Sequence, residues 1–311
     1  MRILVTGGAG FIGSHVCDTL LEGGHKVWIV DDLSTGFEEN IPVGATFVQT
    51  DIRSLETARL FNEVAFDAVF HLAAQADVRK SVRDPINDLS INVEGSLRLL
   101  ELCRRKNVNR FIFSSSGGAI YGEQDVFPAA EDHPQRPVSP YGVAKLAVER
   151  YMFFYYNEFG INSTALRYAN VYGPRQNPFG EAGVVAIFTS KMLVGGTPII
   201  WGDGYQTRDY VYVEDVARVN RLALTLDGFT VLNIGTGIET DVNTLFSSIG
   251  ELARCKVHPQ YKPQASGEQR RSCIDSTLAE QLLGWRPEVK LDLGLSKTVD
   301  YFRTLHADVT K

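Results

Sequence analysis

Short apolar runs rich in β-branched and aromatic residues recur through the first half of the chain, at residues 3–5, 27–30, 46–48, 68–71 and 111–114. Each is followed by a stretch with apolar residues at helical spacing, which predicts strands separated by helices rather than by hairpins. Strands and helices alternating in this way form right-handed βαβ units, so the strands belong in one parallel sheet covered on both faces. Between residues 84 and 107 the series Ile86, Leu89, Ile91, Val93, Leu97, Leu99, Leu100 and Leu102 predicts one long, largely buried helix, and a second helix is predicted from about 140 to 159.

The second helix carries Tyr151, Phe153, Phe154, Tyr155, Tyr156 and Phe159, more aromatic faces than one core contact uses. Those rings either pack on both sides within the fold or, with the helix at 84–107, form a contact with a second copy of the chain. After Asn170 the pattern loosens, punctuated by Gly173-Pro174, Gly180, Gly183, Gly195-Gly196 and Gly202-Asp203-Gly204. Residues 209–213 and 231–234 still read as strands.

A chain of 311 residues exceeds what one core usually organises. The expected fold is α/β, a Rossmann-type doubly wound parallel sheet with a smaller mixed α/β substrate-binding lobe. The expected division is residues 1–170 for the cofactor and 171–311 for the substrate, with segments near 205–235 returning to the first lobe.

Composition narrows the function. Hydrophobic content of 44% and charged content of 22% are those of an ordinary globular protein, and a net charge of −6 gives no general attraction for nucleic acid or an anionic membrane. The apolar run after Met1-Arg2 is too short for a signal segment and no membrane-length apolar span occurs, which predicts a cytoplasmic protein. Cys17, Cys103, Cys255 and Cys273 are scattered without metal-binding spacing, so no metal is expected.

The chemistry begins at Ile3-Leu4-Val5-Thr6-Gly7-Gly8-Ala9-Gly10-Phe11-Ile12-Gly13. Gly7, Gly10 and Gly13 suit a tight strand-to-helix turn where the backbone approaches a pyrophosphate and helix N-terminal amides receive its charge. Asp31, ending the second strand, is placed to accept hydrogen bonds from an adenosine ribose and to repel a 2′-phosphate, which favours NAD over NADP; Asp32 beside it adds to this. Further on, Tyr141-Gly142-Val143-Ala144-Lys145 sets a phenol and an ammonium one turn apart on a helix, where the positive charge, together with an oxidised nicotinamide, would make the phenol more acidic. His71, ending the fourth strand in an apolar setting, suits packing under a cofactor better than acid–base work.

Five motifs in order resemble the UDP-glucose 4-epimerases of the extended short-chain dehydrogenase/reductase, or NAD-dependent epimerase/dehydratase, family: the glycine turn; Ser114-Ser115-Ser116-Gly117-Gly118-Ala119-Ile120-Tyr121-Gly122; the Tyr141/Lys145 pair; Leu166-Arg167-Tyr168-Ala169-Asn170-Val171-Tyr172-Gly173-Pro174-Arg175; and Arg208-Asp209-Tyr210-Val211-Tyr212-Val213. The resemblance covers essentially the whole chain. It implies a catalytic Tyr141, a Lys145 that holds the nicotinamide ribose, and a serine, Ser116, that orients the sugar hydroxyl. Counted back from Tyr121, however, the chain has one residue more than the common S-S-S-A-T-V-Y-G form. Gly117 then falls where that serine would stand, and Ser115 or Ser116 takes the role only if the loop bulges.

The resemblance further implies that NAD lies along Gly7, Gly10, Phe11, Ile12 and Gly13, along Asp31, Asp32, Ser34, Thr35 and Gly36, and along Asp51 and Ile52. Leu72, Ala73, Ala74, Gln75, Asn92, Ser114, Ser115 and Tyr168 complete its implied neighbours, with Tyr141 and Lys145 at the nicotinamide. For the UDP-sugar it implies Ser116, Gly117, Gly118, Tyr141, Asn170, Arg208, Arg270 and Ser272, the two arginines clamping the diphosphate and the small Ser272 leaving room at carbon 2 for an N-acetyl group. A homodimer through the helices near 84–107 and 140–159 is implied as well.

The implied reaction is NAD-dependent epimerisation at C4 of a UDP-hexose through a 4-keto sugar. Dehydratases and decarboxylases of the same superfamily carry acidic residues in the loop that here reads Ser116-Gly117-Gly118-Ala119, which favours an epimerase. Another nucleotide-sugar epimerase, such as one acting on UDP-glucuronate, or a decarboxylase remains a competing reading. A non-catalytic NAD-binding regulator is a reading of another class, against which the intact Tyr141/Lys145 pair stands.

Overall fold

The structure, a computed structural model, describes residues 1–179, 183–263 and 269–309. Gly180, and Gly267-Glu268 just before Arg270, lie outside the described residues. The strands in chain order are β1 (Arg2–Thr6), β2 (Lys26–Asp31), β3 (Thr46–Gln49), β4 (Ala68–His71), β5 (Arg110–Ser116), β6 (Asn162–Tyr168), β7 (Asn170–Tyr172), β8 (Ile199–Trp201), β9 (Thr207–Tyr212), β10 (Phe229–Ile234), β11 (Glu239–Asp241), β12 (Gln260–Lys262) and β13 (Arg271–Ser272). The helices are α1 (Phe11–Glu22), α2 (Leu55–Glu63), α3 (Val78–Arg83), α4 (Pro85–Leu89), α5 (Gly95–Lys106), α6 (Gly117–Ile120), α7 (Pro140–Phe159), α8 (Val184–Leu193), α9 (Val213–Leu222), α10 (Val242–Ala253), α11 (Thr277–Leu283) and α12 (Leu291–Val309).

Seven strands form one parallel sheet in the order β10-β6-β5-β4-β1-β2-β3. Alternation along β1 explains the two layers around it. Ile3 and Val5 join a core with Val16 and Leu20 of α1 and with Val216 and Val219 of α9, while Leu4 joins Leu99 and Leu100 of α5 and Val148 and Met152 of α7 on the other face. The strand order turns back between β1 and β4, which opens a crevice beyond their C-terminal ends. A third core, with Phe188 of α8, Leu245 and Ile249 of α10 and Leu295 and Val299 of α12, supports a separate sheet in which β9 lies between β11 and β13 and also pairs with β7. Of the two late strands, β10 therefore adds to the large sheet beside β6, and β9 belongs to the small one.

Residues 84–107 depart from one continuous buried helix. Asp84 caps α4 by accepting from the Asn87 amide, and Pro85 suits the first helical position. A π-helical turn at Ser90–Glu94 then separates α4 from α5. The extra residue of that turn rotates the faces on either side of it, so Ile86 and Leu89 stay 76% and 54% exposed while Asn92 turns inward. In α7 only Tyr155 of the aromatic series is buried; Phe153, Phe154 and Phe159 are about half exposed. Among the described residues no helix is long and apolar enough to cross a membrane.

Candidate active site

The glycine turn lies at the head of the crevice. Gly7 adopts φ +73°, and a Cβ there would stand 2.5 Å from Ala73 N, so the turn after β1 and the segment after β4 are pressed together in a way only glycine permits. At Gly13 a Cβ would meet Gly7 O at 2.0 Å, which holds α1 tight against the turn. Gly10 caps α1 without any side-chain hydrogen bond, so the first amides of the helix are left for an anion, as a dinucleotide pyrophosphate requires. The residues fit the cofactor.

Asp31 is buried at the end of β2, its oxygens accepting from the Ala9 amide at 3.0 Å and the Leu33 amide at 2.9 Å. Burial pushes its carboxyl up despite those bonds. Each carboxylate oxygen has a second lone pair, so the ribose-accepting role expected of Asp31 is compatible with both contacts. Asp32 accepts from the Ser34 amide, Gly36 packs on Ala9, and Asp51 pairs with Arg53. Ile52 is 6% exposed.

Tyr141 and Lys145 occupy the first turns of α7, which starts at Pro140 behind a Ser139 cap accepting from the Gly142 amide. Lys145 Nζ donates to Ser114 O at 2.7 Å and lies 5.6 Å from the Tyr141 ring centre. Burial pushes the Lys145 ammonium down to about 7, Asp88 and Glu149 opposing it. Tyr141 is pushed up to about 12, by burial first and by the Asp88 charge second, while a hydrogen bond with Ser116 acts the other way. Burial and the Asp88 charge thus hold the phenol up in the protein alone, where the sequence suggested acidification by Lys145.

The serine run is divided by strand alternation. Ser115 turns its hydroxyl away into the layer under α7, donating to Glu149 Oε1 at 2.6 Å. Ser116 ends β5, caps α6 by accepting from the Ala119 amide at 3.2 Å, and reaches the phenol. Ser114 contributes its carbonyl to Lys145. Tyr168 lies on the opposite face of the sheet, its hydroxyl on Asn220, so its side chain points away from Lys145.

The residues expected around the sugar converge from distant parts of the chain. A Cβ on Gly118 would lie 3.9 Å from Asn170 Oδ1 and 4.0 Å from Ser272 Oγ, and one on Gly117 would strike Ile274 at 2.7 Å. Ser272 and Arg208 are paired in register between β13 and β9. β13 is fastened to the loop after α6, since Ala129 N donates to Cys273 O and Asp275 N to Ala129 O. Arg270, half exposed, forms a two-pronged pair with Asp203 at 2.8 and 3.0 Å, so a diphosphate held there as expected would have to share or displace that carboxylate.

Three buried polar groupings were not anticipated. Thr6 bonds His71 Nδ1 at 2.7 Å and His71 Nε2 bonds Ser96 Oγ at 2.8 Å. Because Ser96 donates onward to Asn92 O, Nε2 is the donor and the ring is neutral, burial pushing its pKa down to about 3. The Asn92 side chain spends its amide on the main chain of Gln75 and on Asp88, so it acts on the crevice through the 72–75 segment. Glu149, one turn beyond Lys145, pairs with Arg167. The signal that could have revealed Asp88 and Glu149 is helical spacing: each stands four positions from a residue already singled out.

A family model described as the NAD dependent epimerase/dehydratase family matches residues 3–235. The chain is 44% identical over 309 residues to the UDP-glucose 4-epimerase of Mycolicibacterium smegmatis, covering 97% of this chain and 99% of that one. Its fold matches a UDP-glucose 4-epimerase of Thermotoga maritima solved with UDP-glucose, at TM-score 0.97 and 52% identity over 98% of this chain and 100% of that one. It also matches the UDP-glucose 4-epimerase of Thermus thermophilus in complex with NAD, at TM-score 0.92 and 44% identity over 97% and 99% of the two chains.

Proposed function

Because the chain belongs to the NAD-dependent epimerase/dehydratase family, we propose that it interconverts the C4 epimers of a UDP-hexose, UDP-glucose and UDP-galactose, using bound NAD. The observation that carries this reading is the meeting of Tyr141, Ser116 and Lys145 at the C-terminal end of β5, with an α6 of Gly117, Gly118, Ala119 and Ile120 that adds no acid or base. Elimination and decarboxylation call for further acidic groups there. Epimerisation requires one proton acceptor, and Tyr141 is that group.

NAD, when bound, supplies the hydride acceptor and donor for C4. Tyr141 removes the proton of the 4-hydroxyl and returns it to the same oxygen, O4, when the turned 4-keto sugar is reduced, Ser116 orients that hydroxyl, and Lys145 in its ammonium form holds positive charge beside the phenolate. Arg208 and Arg270 grip the diphosphate as planar forks. Tight hold on the nucleotide end, with few contacts to the hexose, lets the 4-keto sugar turn over between the two transfers. Residues 1–170 with β10 form the cofactor lobe in this reading, and the rest of 171–311 forms most of the UDP-sugar lobe.

The small wall at Gly118 and Ser272 admits UDP-N-acetylhexosamines as well as the plain hexoses. The rings of α7 are half exposed and Ile86 and Leu89 of α4 are exposed, and we assign these residues to self-association as a homodimer; sedimentation that shows only monomer at micromolar concentration would remove that assignment. Incubation of the purified protein with UDP-galactose and no added NAD tests the activity. UDP-glucose should appear, carried by NAD that stays bound through purification, and if none appears even with NAD supplied, the reading is wrong.

A further inference from the structure

Asp88 is 1% exposed and has no part in the steps above. Its Oδ1 accepts from Gln75 Nε2 at 2.9 Å and from Asn92 Nδ2 at 3.0 Å. Asn92 closes a two-way clamp on the Gln75 main chain, accepting from its N–H and donating to its carbonyl, both at 3.0 Å. One carboxylate oxygen thus braces the segment that borders the crevice opposite the glycine turn. The other, Oδ2, is buried without a hydrogen-bond partner among the described residues.

A buried carboxylate with an unpartnered oxygen is costly unless a positive charge offsets it. Burial pushes the Asp88 carboxyl up, and Lys145 of α7 opposes it together with the bonds from Gln75 and Asn92; Arg79, Lys80 and Arg83 of α3 are exposed and Glu94 of the π-helical turn is half exposed. The field works in both directions: Asp88 strengthens proton binding at Lys145 and at Tyr141, the two groups of α7 that perform the chemistry. The π-helical turn is what brings Asp88 and Asn92 to the same inward side.

We propose that Asp88 is a positioning residue for the C4 chemistry: Oδ1 braces the 72–75 segment of the crevice, and Oδ2 supplies negative charge that favours the ammonium form of Lys145 beside Tyr141. This rests on the reading that Tyr141 and Lys145 carry the reaction. The carboxylate offsets the excess positive charge that builds up when an oxidised nicotinamide joins Lys145 in an apolar pocket. Among the described residues its hydrogen bonds go to Gln75 and Asn92, so it acts on the phenol through its charge.

Asp88→Asn separates the two roles, because the amide oxygen can still accept from Gln75 and Asn92 while the charge is gone. Removing a negative charge weakens proton binding at both neighbours. The alkaline limb of kcat against pH should therefore move to lower pH by roughly half a unit to one unit. In the NAD-free protein, the phenolate absorbance that disappears in Tyr141→Phe should titrate at lower pH by a similar amount. If both titrations stay in place, including the case where only the melting temperature falls, the proposal is overturned. Should the Asn variant prove too unstable to assay, Asp88→Glu keeps the charge while displacing the hydrogen bonds, and its alkaline limb must stay where the parent has it; movement there counts equally against the proposal. A parent protein that converts no UDP-galactose defeats the functional reading instead, and the phenolate titration then decides the role of Asp88 alone.

Discussion

Glu149 Oε2 and Arg167 Nη2 stand 2.6 Å apart with both side chains 2% exposed, one helical turn beyond Lys145. Arg167 Nε adds a second bond to Oε1, Ser115 donates to the same oxygen, and Arg167 Nη1 reaches the Tyr121 hydroxyl. The pair ties α7 to β5 and β6, and so fixes where Lys145 stands relative to Ser114 and Ser116. Removing one partner leaves a buried charge uncompensated, so Arg167→Met should cost about 3–5 kcal/mol of unfolding free energy. Urea titration measures this, and the double variant Glu149→Leu with Arg167→Met should recover much of the loss.

Tyr141→Phe keeps the packing and removes the proton acceptor. Turnover of UDP-galactose should fall by roughly 10²–10⁴-fold, the usual contribution of a positioned acid–base group, while NAD content after purification stays near that of the parent. Undiminished turnover would mean that another group takes the proton.

Lys145 links the site to stability in the NAD-free protein. Its folded pKa, about 7, lies below the ordinary value of 10.5, so between those values the unfolded chain holds a proton that the folded chain lacks. Stability should therefore rise with pH across that window and lose this contribution below it. Melting curves of the NAD-free protein across the window should show the rise, and those of Lys145→Met should show a flatter one.

Asp31→Asn removes one negative charge from the place where a 2′-phosphate would lie. The preference for NAD over NADP should fall roughly ten- to a hundredfold, a modest share of what close like charges can cost. Equilibrium binding of both dinucleotides to NAD-free protein measures it, and an unchanged ratio would place the adenosine ribose elsewhere.

Ser272→Tyr fills the space that faces Gly118. Turnover of UDP-N-acetylgalactosamine should drop at least about a hundredfold against a change under about tenfold for UDP-galactose, because an acetamido group needs room that a hydroxyl does not. Parallel assays of both sugars decide it. Equal losses would place carbon 2 away from β13.

The parallel sheet, the glycine turn and the Tyr141/Lys145 pair were legible because each rests on local chemistry: β-branched runs, a turn that tolerates no Cβ, a helical spacing of four. β6 was not, since Asn162, Ser163, Thr164 and Arg167 make a polar strand, with Arg167 buried against Glu149 of α7 and the Tyr121 hydroxyl. The break in the helix at 84–107 was equally hidden, because a π-helical turn shifts the apolar period by one residue with neither glycine nor proline among Ser90–Glu94. The hydroxyl bonded to the phenol is that of Ser116, while Ser115 bonds Glu149, a distinction that counting residues left open. The meeting of Gly118, Asn170 and Ser272 is a product of topology: no spacing along the chain encodes it.

β10 is supplied from beyond the small sheet's β9, yet it completes the large sheet at β6. A fragment cut at residue 170 would therefore expose the bare edge of β6, a row of unpaired amides and carbonyls open to pairing with any other chain. Anyone transplanting the dinucleotide half into a chimera has to carry residues 229–234 along with it, and a gene split between the halves should yield insoluble material rather than an autonomous module.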